Sequence, residues 1–187
     1  MSALRLLDAE QTVLLVVDVQ TRLAASMPGD AWPGCRDAVC LLARAAGELD
    51  LPALVTRQYP RGLGDTDPAV AEALPAAAET VDKTCFCATH APELARALEM
   101  TGRSQVLVCG MEAHVCVLQT VAGLARAGYE PFVAADAVCS RAPARAANAL
   151  ERMRAGGVTI TNAESAVFEW LKGADHERFR NLQRLLK

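Results

Sequence analysis

Cys116 lies in the stretch Gly110-Met-Glu-Ala-His-Val-Cys116-Val-Leu-Gln-Thr120, one glycine after an apolar run, Gln105-Val-Leu-Val-Cys109, that reads as a buried strand. A helical pattern follows, and the spacing places Cys116 in its first turn. A thiol at a helix N-terminus sits beside unpaired backbone N–H groups and the positive end of the helix dipole, both of which favour thiolate over thiol. Cys116 is therefore a candidate nucleophile, expected to be held ionised, and the N–H groups around it are candidate oxyanion donors. Asp18 closes the apolar run Val13-Leu-Leu-Val-Val-Asp18, and Lys83 follows a weaker strand, Thr80-Val81-Asp82. A carboxylate near a thiol takes its proton, and a neighbouring ammonium stabilises both anions and orients them. Singly, each residue also has an ordinary role, as a turn former, a solvated charge or a core thiol.

The elements that must hold these residues alternate between strand and helix. Strand patterns fall at 13–18, 52–56, 80–82, 105–109, 132–135 and 158–161. Helical patterns fall between them at 35–49, 68–74, 93–100 and 144–154, with another after Cys116 whose Val117, Val121 and Leu124 share a face and which closes at Gly128. Residues 58–66, with Pro60, Gly62 and Gly64, read as a loop. Two helical stretches end the chain, the second over 175–187. Strands joined by helices of this length imply right-handed crossovers. The expected fold is α/β: one three-layer α/β/α domain over 1–187, built on a doubly wound, mainly parallel six-stranded sheet. Ligands of such sheets bind beyond the carboxyl ends of the strands, near the point where strand order reverses. Asp18, Lys83 and Cys116 all fall at such ends, which turns three ordinary residues into one candidate site.

Composition narrows the function. With 187 residues, 52% apolar and 22% charged, the chain carries one sizeable core and is not disordered. A net charge of −3 without a basic run, and only 4% aromatic residues, argue against nucleic acid or an anionic membrane as partner. The first eight residues lack a basic start and a long apolar segment, so no secretory leader is expected. Seven cysteines is an odd number, spread through apparent strands and helices, which points to reduced thiols and a cytoplasmic setting. Cys35, Cys40, Cys109 and Cys139 read as core. Cys85-Phe-Cys87 has no second pair at zinc spacing and reads as core or pocket lining rather than a metal site.

Leu15-Val-Val-Asp18-Val-Gln20, Asp82-Lys83-Thr84-Cys85-Phe86 and Gly110-Met-Glu-Ala-His-Val-Cys116-Val resemble, in order, the three motif regions of the isochorismatase-like cysteine hydrolases. The resemblance runs from about position 12 to 171 and includes Gly128-Tyr129 and Ala135-Asp136-Ala137. It implies a triad with Cys116 as nucleophile, Asp18 as general base and Lys83 as the charge that holds the pair. It further implies a cis peptide between Met111 and Glu112, with the N–H groups of Glu112 and Cys116 forming the oxyanion hole, and a thioester formed on cleavage of a C–N bond. Members with nicotinamidase-type chemistry carry an Asp-x-His metal motif after the second strand. Arg57-Gln58-Tyr59 stands there in this chain, so no catalytic metal and no cofactor is expected. Members acting on isochorismate have glycine in place of the cysteine, which sets that reaction aside. The segment Thr56-Arg57-Gln58-Tyr59-Pro60 through Gly62-Leu63-Gly64 looks most like the poorly characterised isochorismatase-domain subgroup.

Gln20 and Gln58 are candidate hydrogen-bond partners of a substrate, and otherwise turn residues. Tyr59, Phe86 and Trp32 are candidate pocket walls or core. His114 lies too close to Cys116 in a helical turn to serve as base and reads as a rim or subunit-contact residue, while His90 and His176 read as surface. The family forms homo-oligomers, and Leu182, Leu185 and Leu186 offer a face either to a partner copy or to the parent domain. The leading reading is a metal-independent cysteine hydrolase for a small amide-like molecule. An interaction protein on the same fold, and a redox-sensing thiol resolved by Cys85 or Cys87, are the alternatives.

Overall fold

Uninterrupted runs of Val, Leu and Cys form the centre of the computed structural model, which describes residues 4–186. Residues 1–3, part of the stretch in which no leader is expected, and residue 187, the expected end of the last helix, lie outside the described residues. The strands are β1 (Thr12–Val17), β2 (Ala53–Gln58), β3 (Glu79–Lys83), β4 (Gln105–Met111), β5 (Glu130–Cys139) and β6 (Thr159–Thr161). They form one six-stranded sheet in the order β3-β2-β1-β4-β5-β6, with every pairing parallel. The helices between them are α1 (Thr21–Ala24), α2 (Trp32–Glu48), α3 (Pro60–Leu63), α4 (Pro68–Ala73), α5 (Pro92–Thr101), α6 (Leu118–Arg126), α7 (Pro143–Ala155), α8 (Ala163–Leu171) and α9 (Phe179–Leu185).

Successive strand residues point to opposite faces, and both faces are covered. Leu14 and Val16 of β1 and Leu107 and Cys109 of β4 pack with α2, α4, α8 and α9 in one core. Val13, Leu15 and Val17, with Val106 and Val108, pack with α5, α6 and α7 in the other. The result is the three-layer, doubly wound α/β architecture that the alternating pattern predicts.

Differences from the expected elements have local causes. β5 runs well past 135, through Asp136, with a register shift against β4 between Val108 and Gly110. Asp136 interrupts the apolar pattern because its carboxylate accepts the N–H of Ala163, at the start of α8. Gln58 belongs to β2, and the turn-rich segment after it contains the single helical turn α3. Cys116 lies in a π-helical turn, Ala113–Val117, placed before α6. Cys35, Cys40, Cys109 and Cys139 are all buried, as expected. The C-terminal leucines do not form an outward apolar face: Leu182 is fully buried in the core under α2, and Leu185 packs against that core. Among the described residues, no helix is long and apolar enough to cross a membrane.

Candidate active site

Strand order reverses between β1 and β4, and the crevice beyond their carboxyl ends is where open parallel sheets place their ligands. Asp18 leaves the end of β1 at φ 52°, in the left-handed region that few residues other than glycine adopt readily. Gly110, at φ 114°, carries the corresponding bend of β4. A Cβ there would stand 2.1 Å from the Val17 carbonyl oxygen, so only glycine lets the two backbones approach so closely.

Asp18, Lys83 and Cys116 meet at this crevice. The Lys83 ammonium donates to Asp18 Oδ2 at 2.6 Å, with both side chains fully enclosed. The Thr56 hydroxyl, on the neighbouring strand β2, donates to the other carboxylate oxygen at 2.7 Å. Lys83 Nζ also donates to Gln58 Oε1 at 2.8 Å and to the Cys85 carbonyl at 3.3 Å, so each of its three hydrogens has a protein acceptor. A buried ion pair gains little over apolar packing, and breaking it by removing one member is costly. Such a pair, so fully hydrogen-bonded, calls for a reason beyond stability.

The Cys116 thiol is 5% exposed and lies within reach of the Asp18 carboxylate. Burial, and then the Asp18 charge, push it up to about 12, against the opposing pull of Lys83. This corrects the expectation of an ionised sulfur. The π turn holds the thiol in an enclosed place beside an anion, and the two effects outweigh the helix terminus. At neutral pH the raised Cys116 side chain is a neutral thiol with the Asp18 carboxylate beside it.

The Met111–Glu112 peptide is cis. The Glu112 carbonyl accepts the amides of Val115 and Val117 and passes over that of Cys116 between them. The Glu112 side chain turns to Arg141, past the end of β5. It accepts from the Arg141 backbone N–H at 2.9 Å and from Nε and Nη2 of the guanidinium. Burial works against its charge, but these hydrogen bonds outweigh it and hold the carboxyl below its usual range. His114 Nδ1 pairs with the Ser140 hydroxyl at 3.0 Å, which keeps this ring occupied at the rim.

The structure puts the candidate substrate-binding residues in two groups. Gln20 is fully buried, and its amide clamps backbone: Nε2 donates to the carbonyls of Gln58 and Gly64, and Oε1 accepts the Gln58 N–H at 2.7 Å. Gln58 presents Oε1 to Lys83 and donates from Nε2 to the Thr84 carbonyl. Both amides are thus occupied by the protein. Tyr59 and Phe86 are 55% and 54% exposed at the same end of the sheet. Tyr59 has φ 38°, and its ring covers Gly62, where a Cβ would come within 2.4 Å of it. Trp32 is half-buried against the core.

Cys85 is half-buried and lends its carbonyl to Lys83, while Cys87 is buried with its sulfur 3.0 Å from the Thr89 hydroxyl. Sequence reasoning passed over the roles of Thr56 and Arg141. Thr56 is the one hydroxyl in an apolar strand and was detectable on that ground; nothing near Arg141 in the sequence links it to Glu112. Among the described residues, no three His, Cys, Asp or Glu side chains converge as a metal cradle.

A parallel doubly wound sheet with thiol, carboxylate and ammonium at its switch point defines an α/β protein of the isochorismatase-like class. The isochorismatase domain matches residues 12–165, and the chain belongs to that family. It is 34% identical to isochorismatase domain-containing protein 2A of Mus musculus over 182 residues, 95% of this chain and 84% of the mouse protein. It is 40% identical over 147 residues to the secreted isochorismatase effector Isc1 of Phytophthora sojae, covering 76% of this chain and 70% of the effector. The MAR1 ribonuclease of Caenorhabditis elegans superposes with a TM-score of 0.92 at 32% identity, over 97% of this chain and 92% of that one.

Proposed function

We propose that the protein is a metal-independent cysteine hydrolase that cleaves the C–N bond of a small amide-like molecule. The observation that carries this reading is the neutral, enclosed Cys116 thiol beside an Asp18 carboxylate fixed by Lys83 and Thr56. Sγ attacks the carbonyl carbon as Asp18 takes the thiol proton. The tetrahedral oxyanion is met by the N–H groups of Glu112 and Cys116. Asp18 returns the proton to the departing nitrogen, and ammonia or an amine leaves a thioester on Cys116. Water then attacks the thioester, giving its proton to Asp18; the C–S bond breaks, sulfur regains a proton and the acid is released. Lys83 acts by position, its hydrogens holding Asp18, Gln58 and the Cys85 carbonyl. Tyr59 and Phe86, exposed at the rim, are the side chains proposed to meet the substrate.

The nematode relative's name implies RNA as a substrate. Of the cations at this site, Lys83, Arg57 and Arg141 are engaged by carboxylates and only Arg61 stands exposed, and the chain is net negative. Both facts favour a small molecule over a polyanion. Homo-oligomers and a cytoplasmic setting belong to the same proposal; the inward C-terminal leucines lend the oligomer no support.

The test is ammonia release from a panel of small amides, ureas and hydroxamates, with wild type and Cys116→Ala side by side. Turnover should fall by on the order of 10⁴-fold or more in the variant. A variant that keeps its activity shows the nucleophile to be elsewhere.

A further inference from the structure

The charges around the sulfur cancel in pairs. The ionic groups that act most strongly on Cys116 are Asp18, Lys83 and Glu112. Asp18 and Lys83 are bound to each other, and Glu112 is held by Arg141. Arg57, the next cation along the sheet edge, is gripped by Asp82 through two nitrogens and by Asp65 through the third. Beside β3 a cavity of about 560 Å³ is lined by Tyr59, Lys83 and Cys85; its exposed ions are Asp82, which is paired with Arg57, and Arg61 and Glu93, which are opposite in sign. The two glutamines that face this region, Gln20 and Gln58, use both ends of their amides on the protein.

We propose that the substrate is uncharged around the scissile bond: a small neutral amide or urea that carries neither carboxylate nor ammonium next to the reacting carbon. The proposal rests on Cys116 being the nucleophile, as argued above. A carboxylate set beside the sulfur would shed water and find none of the neighbouring cations free, because Lys83 has no hydrogen left and Arg141 and Arg57 are bound, which leaves only the exposed Arg61 on the cavity wall. An ammonium set beside the sulfur would meet Asp18 and Glu112, both already neutralised by Lys83 and Arg141. Either ion loses hydration without a partner to replace it, whereas a neutral amide loses far less. Its carbonyl oxygen needs only the backbone donors of Glu112 and Cys116, and the rest of the molecule only the aromatic rim.

Alkylation of Cys116 in the full chain tests this directly. Iodoacetamide, iodoacetate and (2-bromoethyl)trimethylammonium each form an S–C bond with loss of halide and of the thiol proton. They are neutral, anionic and cationic respectively. Rates at Cys116 are followed by peptide mass mapping and divided by each reagent's rate with glutathione, which removes intrinsic reactivity. The normalised rate for iodoacetamide should exceed that of each charged reagent by about tenfold or more. In Arg141→Ala, which frees the Glu112 carboxylate, the ratio of cationic to neutral rate should rise several-fold while the anionic ratio falls. A charged reagent that matches or outpaces iodoacetamide, or an unchanged ratio in Arg141→Ala, overturns the neutral-substrate proposal and leaves the nucleophile intact. No modification of Cys116 by any reagent, with other thiols labelled, overturns the nucleophile assignment and the proposal with it.

Discussion

The two ends of β1 each carry a buried polar network, built from different materials. At the amino end, Gln105 Oε1 accepts from the Asp8 N–H and the Thr12 hydroxyl, and its Nε2 donates to the Leu6 carbonyl and to Glu130. At the carboxyl end stand Asp18, Lys83, Thr56 and Gln58, with a thiol beside them. The centre of the first network is a neutral amide that ties the N-terminal segment to the sheet; the centre of the second is a fully enclosed ion pair. Amides satisfy buried backbone at little electrostatic cost, while enclosed ions are a poor way to stabilise a fold. The contrast supports the proposed division, with structure at one end and chemistry at the other.

Replacing Asp18 with Asn should break the contrast most strongly. It removes the proton acceptor, lowering kcat by about 10²–10⁴-fold, and leaves Lys83 enclosed without a countercharge, costing about 3–5 kcal/mol in denaturant titration. A kcat within a few-fold of wild type would move the base elsewhere.

The second test concerns pH. Since Cys116 is raised to about 12 from 9.0, its alkylation by iodoacetamide should climb about tenfold per pH unit beyond pH 9 instead of levelling there. The sign for stability follows from the same shift. Above pH 9 the unfolded chain has released this proton and the folded one has not, so stability falls as pH rises from about 9 towards 12. Cys116→Ala should remove one proton from that slope. A labelling curve that is flat from pH 7 would restore the ionised sulfur.

Gln58→Leu takes one acceptor from the Lys83 ammonium without touching the thiol. We expect kcat to fall by about tenfold with KM little changed. A rise in KM alone would make Gln58 a substrate contact. Gln105→Ala should give the smallest effect on catalysis: stability lower by about 1–3 kcal/mol, with kcat and KM unchanged. Lost activity in the folded variant would blur the distinction between the two ends.

Much of this arrangement was legible in the residues. Apolar runs bounded by turn formers gave the strands, and the parallel order then brought Asp18, Lys83 and Cys116 to one edge. The end of β5 was not legible, because Asp136 looks like a strand terminator until its bond to the start of α8 is seen. The state of the sulfur was misread because a sequence shows proximity to a helix start but not the depth of burial or the carboxylate across the crevice. The glutamines were ambiguous for a related reason: an amide side chain binds backbone or ligand with the same atoms, and only its neighbours decide.

The bend at Gly110 carries a last implication. Because that residue lets β4 press against the Val17 carbonyl, the spacing of acid and sulfur is set by main-chain geometry rather than by any replaceable group. The aromatic rim belongs to separate turns, after β2 and after β3. On the proposed function, selectivity would be modular: Tyr59 and Phe86 would be open to exchange in directed evolution toward new amides, while a single methyl group added at position 110 would jam the spacing of Asp18 and Cys116.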